Sequence, residues 1–544
     1  MVTAAGPASV ELVAQLIQTI GGQPGRRLPI IDGLAATLPN ASLTVLAATP
    51  LVKHVALDRV ILGAMERTGA TVGALAVRDE LGVDGSGVVV AVVDSGIAAA
   101  ADDLSDTASG SLRIDRFVDF VNGREAPYDD YGHGTHVAGI IAGNGFDSSG
   151  ARSGIAPRAR LVSLKALDGS GQGRISNVIA AIDYAVRHRI ELNIRVINLS
   201  IGAGVYESYY LDPLTLAARQ AVAAGIVVVA SAGNLGRDAQ GRTLYGGITA
   251  PGNAPWVVTV GASSHVGTVD RADDTIAAFS SRGPTAIDRA AKPDLVAPGV
   301  GIESVSAPDS LLYRSMPAYL LSGTVSTPYL PYLSLSGTSM AAPVVAGTAA
   351  LMLQANPTLT PNAIKAILEY TAQMYPAYDV LTEGAGFLNA RGAVELARFL
   401  AVPSTGYPSS KGWSRRILWG NYVVRGAFIP GATAWSSSVG WGETTSAHGT
   451  SLGQGAICVT DCDSAPPGPS DPFLTAPEGR SNVVWGLMCG GADCPGGTPW
   501  TSPSGTTVVW GSTGGDTVVW GSTGGDTVVW GSGCTDQSCD VRWP

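Results

Sequence analysis

The middle of this chain predicts an α/β domain, a parallel sheet with helices on both of its faces. Between about residues 80 and 400, runs such as VVVAVVD, ARLVSLKAL, RVINLS and GIVVVASAG read as strands apolar on both faces. They alternate with SNVIAAIDYAVRH and DPLTLAARQAVAA, whose apolar residues recur at helical spacing. That alternation is what a parallel sheet covered by crossover helices requires.

In chain order, residues 1–67 read first as a small α+β domain. VELVAQLIQTI has the spacing of a helix and Gly-Gly-Gln-Pro-Gly ends it. Strand-like RRLPIIDGL and LVKHVALDR then flank a short helical ASLTVLAAT. The α/β domain follows over residues 68–401. Residues 402–544 change texture to Gly, Ser, Thr and Trp, with ten of the eleven tryptophans between Trp413 and Trp543. Inside this tail TVVWGSTGGD recurs at a ten-residue period and sets Trp510, Trp520 and Trp530 in register, with SNVVWG near Trp485 as a looser copy. Each unit reads as a short strand followed by a Gly-Gly-Asp turn, so a β-type tail of hairpins or a small stacked sheet is expected. The tryptophans either pack on one another or stack on a ligand such as carbohydrate.

Composition bounds the partners. Of 544 residues 45% are hydrophobic and 14% charged, and the net charge is −10; a large core is affordable, and the basic footprint for nucleic acid or anionic membrane is missing. No apolar run approaches the roughly 18 residues of a spanning helix. The start, MVTAAGPASVELVAQL, shows no secretory signal, so either the protein stays inside or this start is incomplete. The cysteines point the other way. Cys458 with Cys462, Cys489 with Cys494 and Cys534 with Cys539 form three close pairs, which suits disulfides in an oxidising compartment, although six cysteines allow 15 pairings. Zinc is the rival reading, and Cys-x-x-Cys is absent.

Four residues stand where chemistry is commonly placed. Ser339, in LSLSGTSMAAPVVAGTAALML, lies at a helix start, with Pro343 fitting only near that start; the backbone donors there favour a developing negative charge. Taken alone, such a serine is a helix cap. His133, in DDYGHGTHVAGIIAG, suits a general base; His136 three residues on raises a metal pair, but the Glu of His-Glu-x-x-His is missing. Asp94 ends the apolar strand VVVAVV, at the carboxyl edge of the sheet where active sites of open α/β sheets gather. Asn234 closes GIVVVASAGN at the same edge, with an amide able to donate to an oxyanion; alone it reads as a turn asparagine.

Together VAVVDSGI, HGTHVAG, VVASAGN and SGTSMAAP resemble, in order and rough spacing, the subtilisin-like serine proteases, or subtilases. GIAP, VINLSIG, FSSRGP and KPDLVAPG extend the resemblance over roughly residues 80–400. It implies a subtilisin-like fold and a serine endopeptidase that acts on proteins or peptides and needs no cofactor. In it Ser339 is the nucleophile, His133 the base, Asp94 its orienting partner and Asn234 an oxyanion donor. It further implies that Ser200, Ile201 and Gly202, with Ser231, Ala232 and Gly233, wall the primary specificity pocket, and that Gly169-Ser170-Gly171 pairs with an extended substrate. Broad cleavage after apolar or aromatic residues is expected, narrowed by Ile201 and the neighbourhood of Thr249. By the same resemblance residues 1–67 are an inhibitory propeptide, with autocleavage between residues 59 and 69.

Three departures stand out. The family's calcium loop is not recognisable after His136, so Asp147 is a faint candidate and no metal is assigned. An insertion over about residues 306–334 precedes Ser339 as a lid or a partner surface. The tail has no counterpart in the family and reads as an anchor to a cell surface or carbohydrate, a substrate-binding module or a removable extension. A secreted or cell-surface zymogen is the leading reading. A binding protein with a silent protease domain and an intracellular processing protease are its rivals.

Overall fold

The computed structural model describes residues 2–28, 32–55, 64–106, 110–238, 240–375, 377–402 and 406–443, and beyond these only the backbone of short strands. The chain divides into two compact units, Met1–Leu62 and Gly63–Pro544.

The first unit runs β1 (Val2–Ala4), α1 (Val10–Thr19), β2 (Gln23–Leu28), β3 (Gly33–Thr37), α2 (Leu43–Ala47) and β4 (Val52–Val55). Its strands form one antiparallel sheet in the order β2-β3-β1-β4. Val13, Ala14 and Ile17 share one face of α1 and join Val2, Ala4, Leu34 and Leu46 in a core of their own. The helices and β4 fall where the sequence places them, whereas β2 begins inside the expected Gly-Gly-Gln-Pro-Gly break and RRLPIIDGL covers the end of β2 and the start of β3 rather than one strand. The expected cleavage region, 59–69, is described only in part: 59–63 lie outside the described residues and 64–69 among them.

The second unit begins with α3 (Ala64–Thr71) and α4 (Ala74–Leu81) and continues with β5 (Val89–Asp94), β6 (Ile114–Asp119), α5 (His133–Ala142), β7 (Arg160–Lys165), α6 (Ile175–Arg187), β8 (Ile194–Leu199), α7 (Pro213–Ala223) and β9 (Val227–Ser231). Then come β10 (Val258–Ser264), β11 (Thr275–Ile276), β12 (Leu295–Pro298), β13 (Ile302–Val305), α8 (Leu311–Ser315), β14 (Leu320–Leu321), β15 (Tyr332–Leu335), α9 (Thr338–Ala355), α10 (Pro361–Thr371), α11 (Val380–Glu383) and α12 (Ala390–Ala401). The main sheet has the order β11-β10-β9-β8-β5-β7-β6 with β12 also on β10, and every pair but β10–β11 is parallel. Every residue of β5 is buried, as expected of a strand covered on both faces. Of the described helices, α9 alone is long and apolar enough to cross a membrane, but 83% of it is buried inside the domain, which marks it as a core helix.

The change of texture at residue 402 does not mark a new core. Trp413, Ile417, Trp419, Val424, Phe428, Trp435 and Trp441 belong to the main hydrophobic core with α9, α10 and α12. They are held by β16 (Arg416–Trp419), paired with β17 (Tyr422–Arg425), and by Asn362 on α10, whose Nδ2 donates to the carbonyls of Ala434, Ser436 and Val439. Ring-to-ring packing here, such as Phe428 on Trp435 at 5.2 Å, explains the aromatic composition. Further on, the TVVWG units at Thr517–Gly521 and Thr527–Gly531 pair antiparallel. Their tryptophan side chains and all six cysteines lie outside the described residues.

The insertion forms a strap. Ser310 caps α8, β14 pairs with β15, and Leu311 N and Leu312 N donate to the carbonyls of Asp130 (2.9 Å) and Tyr131 (3.0 Å), on the loop that leads into His133.

Candidate active site

Three strand ends and two helix starts converge at the carboxyl edge of the main sheet. Asp94 is the last residue of β5 and fully buried; its Oδ1 accepts from Ser95 N (2.8 Å) and from His133 Nδ1 (2.8 Å). His133 is the first residue of α5, and its ring keeps 16% of its surface open. Burial works to lower its pKa, but the charge and hydrogen bond of Asp94 and the charge of Asp129 outweigh burial, and the net shift is upward. With Nδ1 committed to Asp94, Nε2 is left as the proton-accepting nitrogen.

Ser339 is the second residue of α9. Pro343, four residues on, has no N–H with which to bond the Ser339 carbonyl, and Ser200 Oγ donates to that oxygen instead at 2.8 Å. The strand-end serine after β8 thus anchors the backbone of Ser339. Asn234 is exposed, and its Oδ1 accepts from Thr338 N (2.9 Å) and Thr338 Oγ1 (3.0 Å), an arrangement that assigns the amide so that Nδ2 is free to donate. Thr338 also receives Gly233 N at 3.2 Å, so one threonine holds both the asparagine and the glycine before it.

A cleft of about 440 Å3 is lined by His133, Ser339, Ser200, Ile201 and Gly202 and by the apolar Leu167, Ile175, Val178 and Leu214, with Gly171 on its wall. Ser231 and Ala232 are buried behind it, because Ser231 closes β9 and donates from Oγ to Ile201 O (3.2 Å). Thr249 is wedged between two glycines. A Cβ on Gly202 would stand 2.5 Å from Thr249 Oγ1, and one on Gly233 2.8 Å from its Cγ2, so both positions need glycine for that close approach.

His136 is not a metal ligand here. It is fully buried, its Nε2 lies 2.9 Å from Leu333 O and 3.1 Å from Ile302 O, and burial pushes its pKa down to about 3. Asp147, the faint calcium candidate, leaves its carboxylate Oδ1 buried without a partner, while its backbone is fully engaged. Its carbonyl accepts from Thr324 N and Val325 N, its N–H donates to Asp103 Oδ1, and Asp103 Oδ2 accepts from the Tyr332 hydroxyl. The Asp147 carbonyl and both Asp103 oxygens thus face protein donors, and among the described residues no group of three His, Cys, Asp or Glu side chains could hold an ion.

Sequence reasoning missed Thr338, Asp129, Thr135 and Lys165. Lys165, fully buried at the end of β7, donates from Nζ to Ser95 O (2.6 Å), Asp130 Oδ1 (2.6 Å) and Leu167 O (2.9 Å). Its signal was a lysine closing the apolar strand RLVSLK at the same edge as Asp94.

Residues 85–420 match the Subtilase family. The chain is 37% identical over 366 residues to serine protease AprX of Bacillus subtilis (strain 168), covering 66% of this chain and 78% of that protein. It is 32% identical over 384 residues to Subtilisin E of the same organism, covering 70% of this chain and 85% of that protein. A solved cold adapted subtilisin-like serine proteinase aligns at 30% identity with a TM-score of 0.40, covering 56% of this chain and 88% of that one.

Proposed function

The chain belongs to the subtilase family and is a subtilisin-like serine endopeptidase, and on that premise we propose that Asp94, His133 and Ser339 are its catalytic triad and that it is made as a self-processing zymogen. The observation that carries this reading is the 2.8 Å bond between Asp94 and His133 on a cleft that Ser339 also lines. Ser339 Oγ attacks the scissile carbonyl carbon as its proton passes to His133 Nε2, and Asp94 steadies the imidazolium through Nδ1–H. The oxyanion is held by Ser339 N–H, at a helix start, and by Asn234 Nδ2. Collapse expels the amine, protonated by His133, and leaves an acyl-enzyme that water, activated by the same histidine, releases. No organic cofactor enters the reaction.

The substrate lies extended along Gly169-Ser170-Gly171 and Ser200-Ile201-Gly202, with Ser231, Ala232 and Gly233 behind the primary pocket and Thr249 at its base. The apolar lining of Ile175, Val178 and Leu214 supports a preference for apolar peptides. Residues 1–67 act as propeptide and intramolecular inhibitor, 68–401 as peptidase and 402–544 as an extension whose first part, to residue 443, is built into the peptidase core. The protein works outside the cell, a reading supported by the paired spacing of its cysteines.

An intact-mass time course of wild type beside Ser339→Ala, near neutral pH without reductant, tests this. The wild type should lose its lead segment by cleavage between residues 59 and 69 while the variant stays whole. Both staying whole while folded would overturn the self-processing reading.

A further inference from the structure

The reaction uses one carboxylate, Asp94. A second, Asp129, is buried four residues before His133 with only 7% of its surface exposed. Its Oδ1 accepts from Gly132 N (2.7 Å) and Ser95 Oγ (2.8 Å), and its Oδ2 from Thr135 N (2.8 Å) and Thr135 Oγ1 (2.6 Å). Each hydroxyl is itself oriented from behind: Ser95 Oγ accepts Gly134 N (2.9 Å) and Thr135 Oγ1 accepts Ala98 N (2.9 Å). Their protons therefore point at the carboxylate, and all four partners donate. Burial outweighs these donors and leaves the Asp129 pKa raised on balance, but a carboxylate surrounded only by donors has no acceptor for a proton, so the geometry serves its ionised form.

The donors come from two segments that must meet. Ser95 directly follows Asp94 on the loop after β5, and Gly132 and Thr135 bracket His133 at the start of α5. One carboxylate thus ties the acid to the base from behind. We propose that Asp129 is a positioning residue of the proton relay: it sets the separation of Asp94 and His133 and adds a second negative charge behind the imidazole. It touches no substrate. The charged and titratable groups facing this corner are Asp94 from β5, His136 in α5, Tyr131 on the loop, and Lys165 from β7 paired with Asp130. His136 is neutral, and Lys165 is already neutralised by Asp130, so Asp94 and Asp129 supply the field that favours imidazolium.

The inference rests on the proposed triad. Its test uses Asp129→Asn and Thr135→Val in the full chain, with kcat, KM and the acid limb of kcat/KM measured on a peptide anilide. Rates are expressed per site titrated with a fluorophosphonate. An asparagine amide aims donors at donors and removes the charge. The expected result is kcat lowered on the order of 10²-fold with KM little changed, and an acid limb moved down by about one unit. Thr135→Val keeps the charge and loses one donor, so kcat should fall by about tenfold with the acid limb unmoved. Normal kcat per titrated site with an unmoved acid limb in Asp129→Asn overturns the proposal. If that variant does not fold, normal kcat in Thr135→Val overturns it. Ser339→Ala run in parallel separates the premises: fluorophosphonate labelling that survives it sinks the triad reading, whatever Asp129 does.

Discussion

The two edges of the main sheet carry buried charge clusters of similar make-up and opposite character. At the carboxyl edge, Asp94, Asp129 and Lys165 are buried close to His133, which lines an open cleft. At the amino edge, just before β10 and β12, Lys292 donates from Nζ to Asp294 (2.7 Å), Thr259 (2.8 Å) and the Val257 carbonyl (3.1 Å). Lys365 on α10 bonds Asp294 Oδ1 at 2.9 Å and the Pro255 and Val257 carbonyls, and Trp441 lies 4.4 Å over its ammonium. Glu369, one turn further along α10, accepts from Leu418 N. Burial pushes the Lys292 pKa down to about 7, with Asp294 pulling the other way, and pushes Glu369 up. The lesson is one of access. Charges sealed under Trp441 and β16 can only hold the fold together, whereas charges beside a cleft can meet a reacting group.

The sharpest way to break this comparison is to remove one group at each edge. Ser339→Ala should lower turnover on the order of 10⁶-fold and leave the melting temperature within about a degree, read by peptide hydrolysis and calorimetry. Lys365→Met should do the reverse: Asp294 and Glu369 lose a partner, stability falls by about 3–5 kcal/mol in a urea titration, and turnover per titrated site stays normal. Next in size, Asn234→Ala should lower kcat by about 10²–10³ with little change in KM, a magnitude carried over from subtilisin itself.

The smallest expected effect belongs to Asp147, which lies at neither edge. Burial, with the charges of Asp103 and Asp102, raises its pKa to about 6. A carboxyl whose folded pKa is raised contributes stability that is present at low pH and lost as pH rises through that value. Asp147→Asn should therefore be more stable than wild type at pH 8 by about 1 kcal/mol, with the gap closing toward pH 4, as thermal melts across that range would show.

The carboxyl edge was more legible in sequence than the sealed one. Asp94, His133, Asn234 and Ser339 each stand where a strand or helix begins or ends, so local residue types place them, and four such motifs in order identify the family. Partners that act across the fold leave no local mark. Asp129 draws no attention in sequence because Ser95 is brought to it only by the fold, and Thr338 reads as part of the Gly-Thr turn until Asn234 reaches it. The extension misled for a related reason. Its Gly, Ser and Trp composition suggests a separate module, but Trp419 Nε1 bonds Glu443 O and Trp441 Nε1 bonds Leu418 O, packing its rings onto α10. In the lead unit α1 is long enough to show a helical period in sequence, whereas the three residues of β1 are too few to show any.

The most direct measurement is fluorophosphonate labelling of the folded protein followed by peptide mapping. A phosphonyl adduct on Ser339, absent from His133→Ala under the same conditions, is the predicted result. Folded protein that takes up no label, or carries it on a different serine, would contradict the assignment of the carboxyl edge as the site of chemistry.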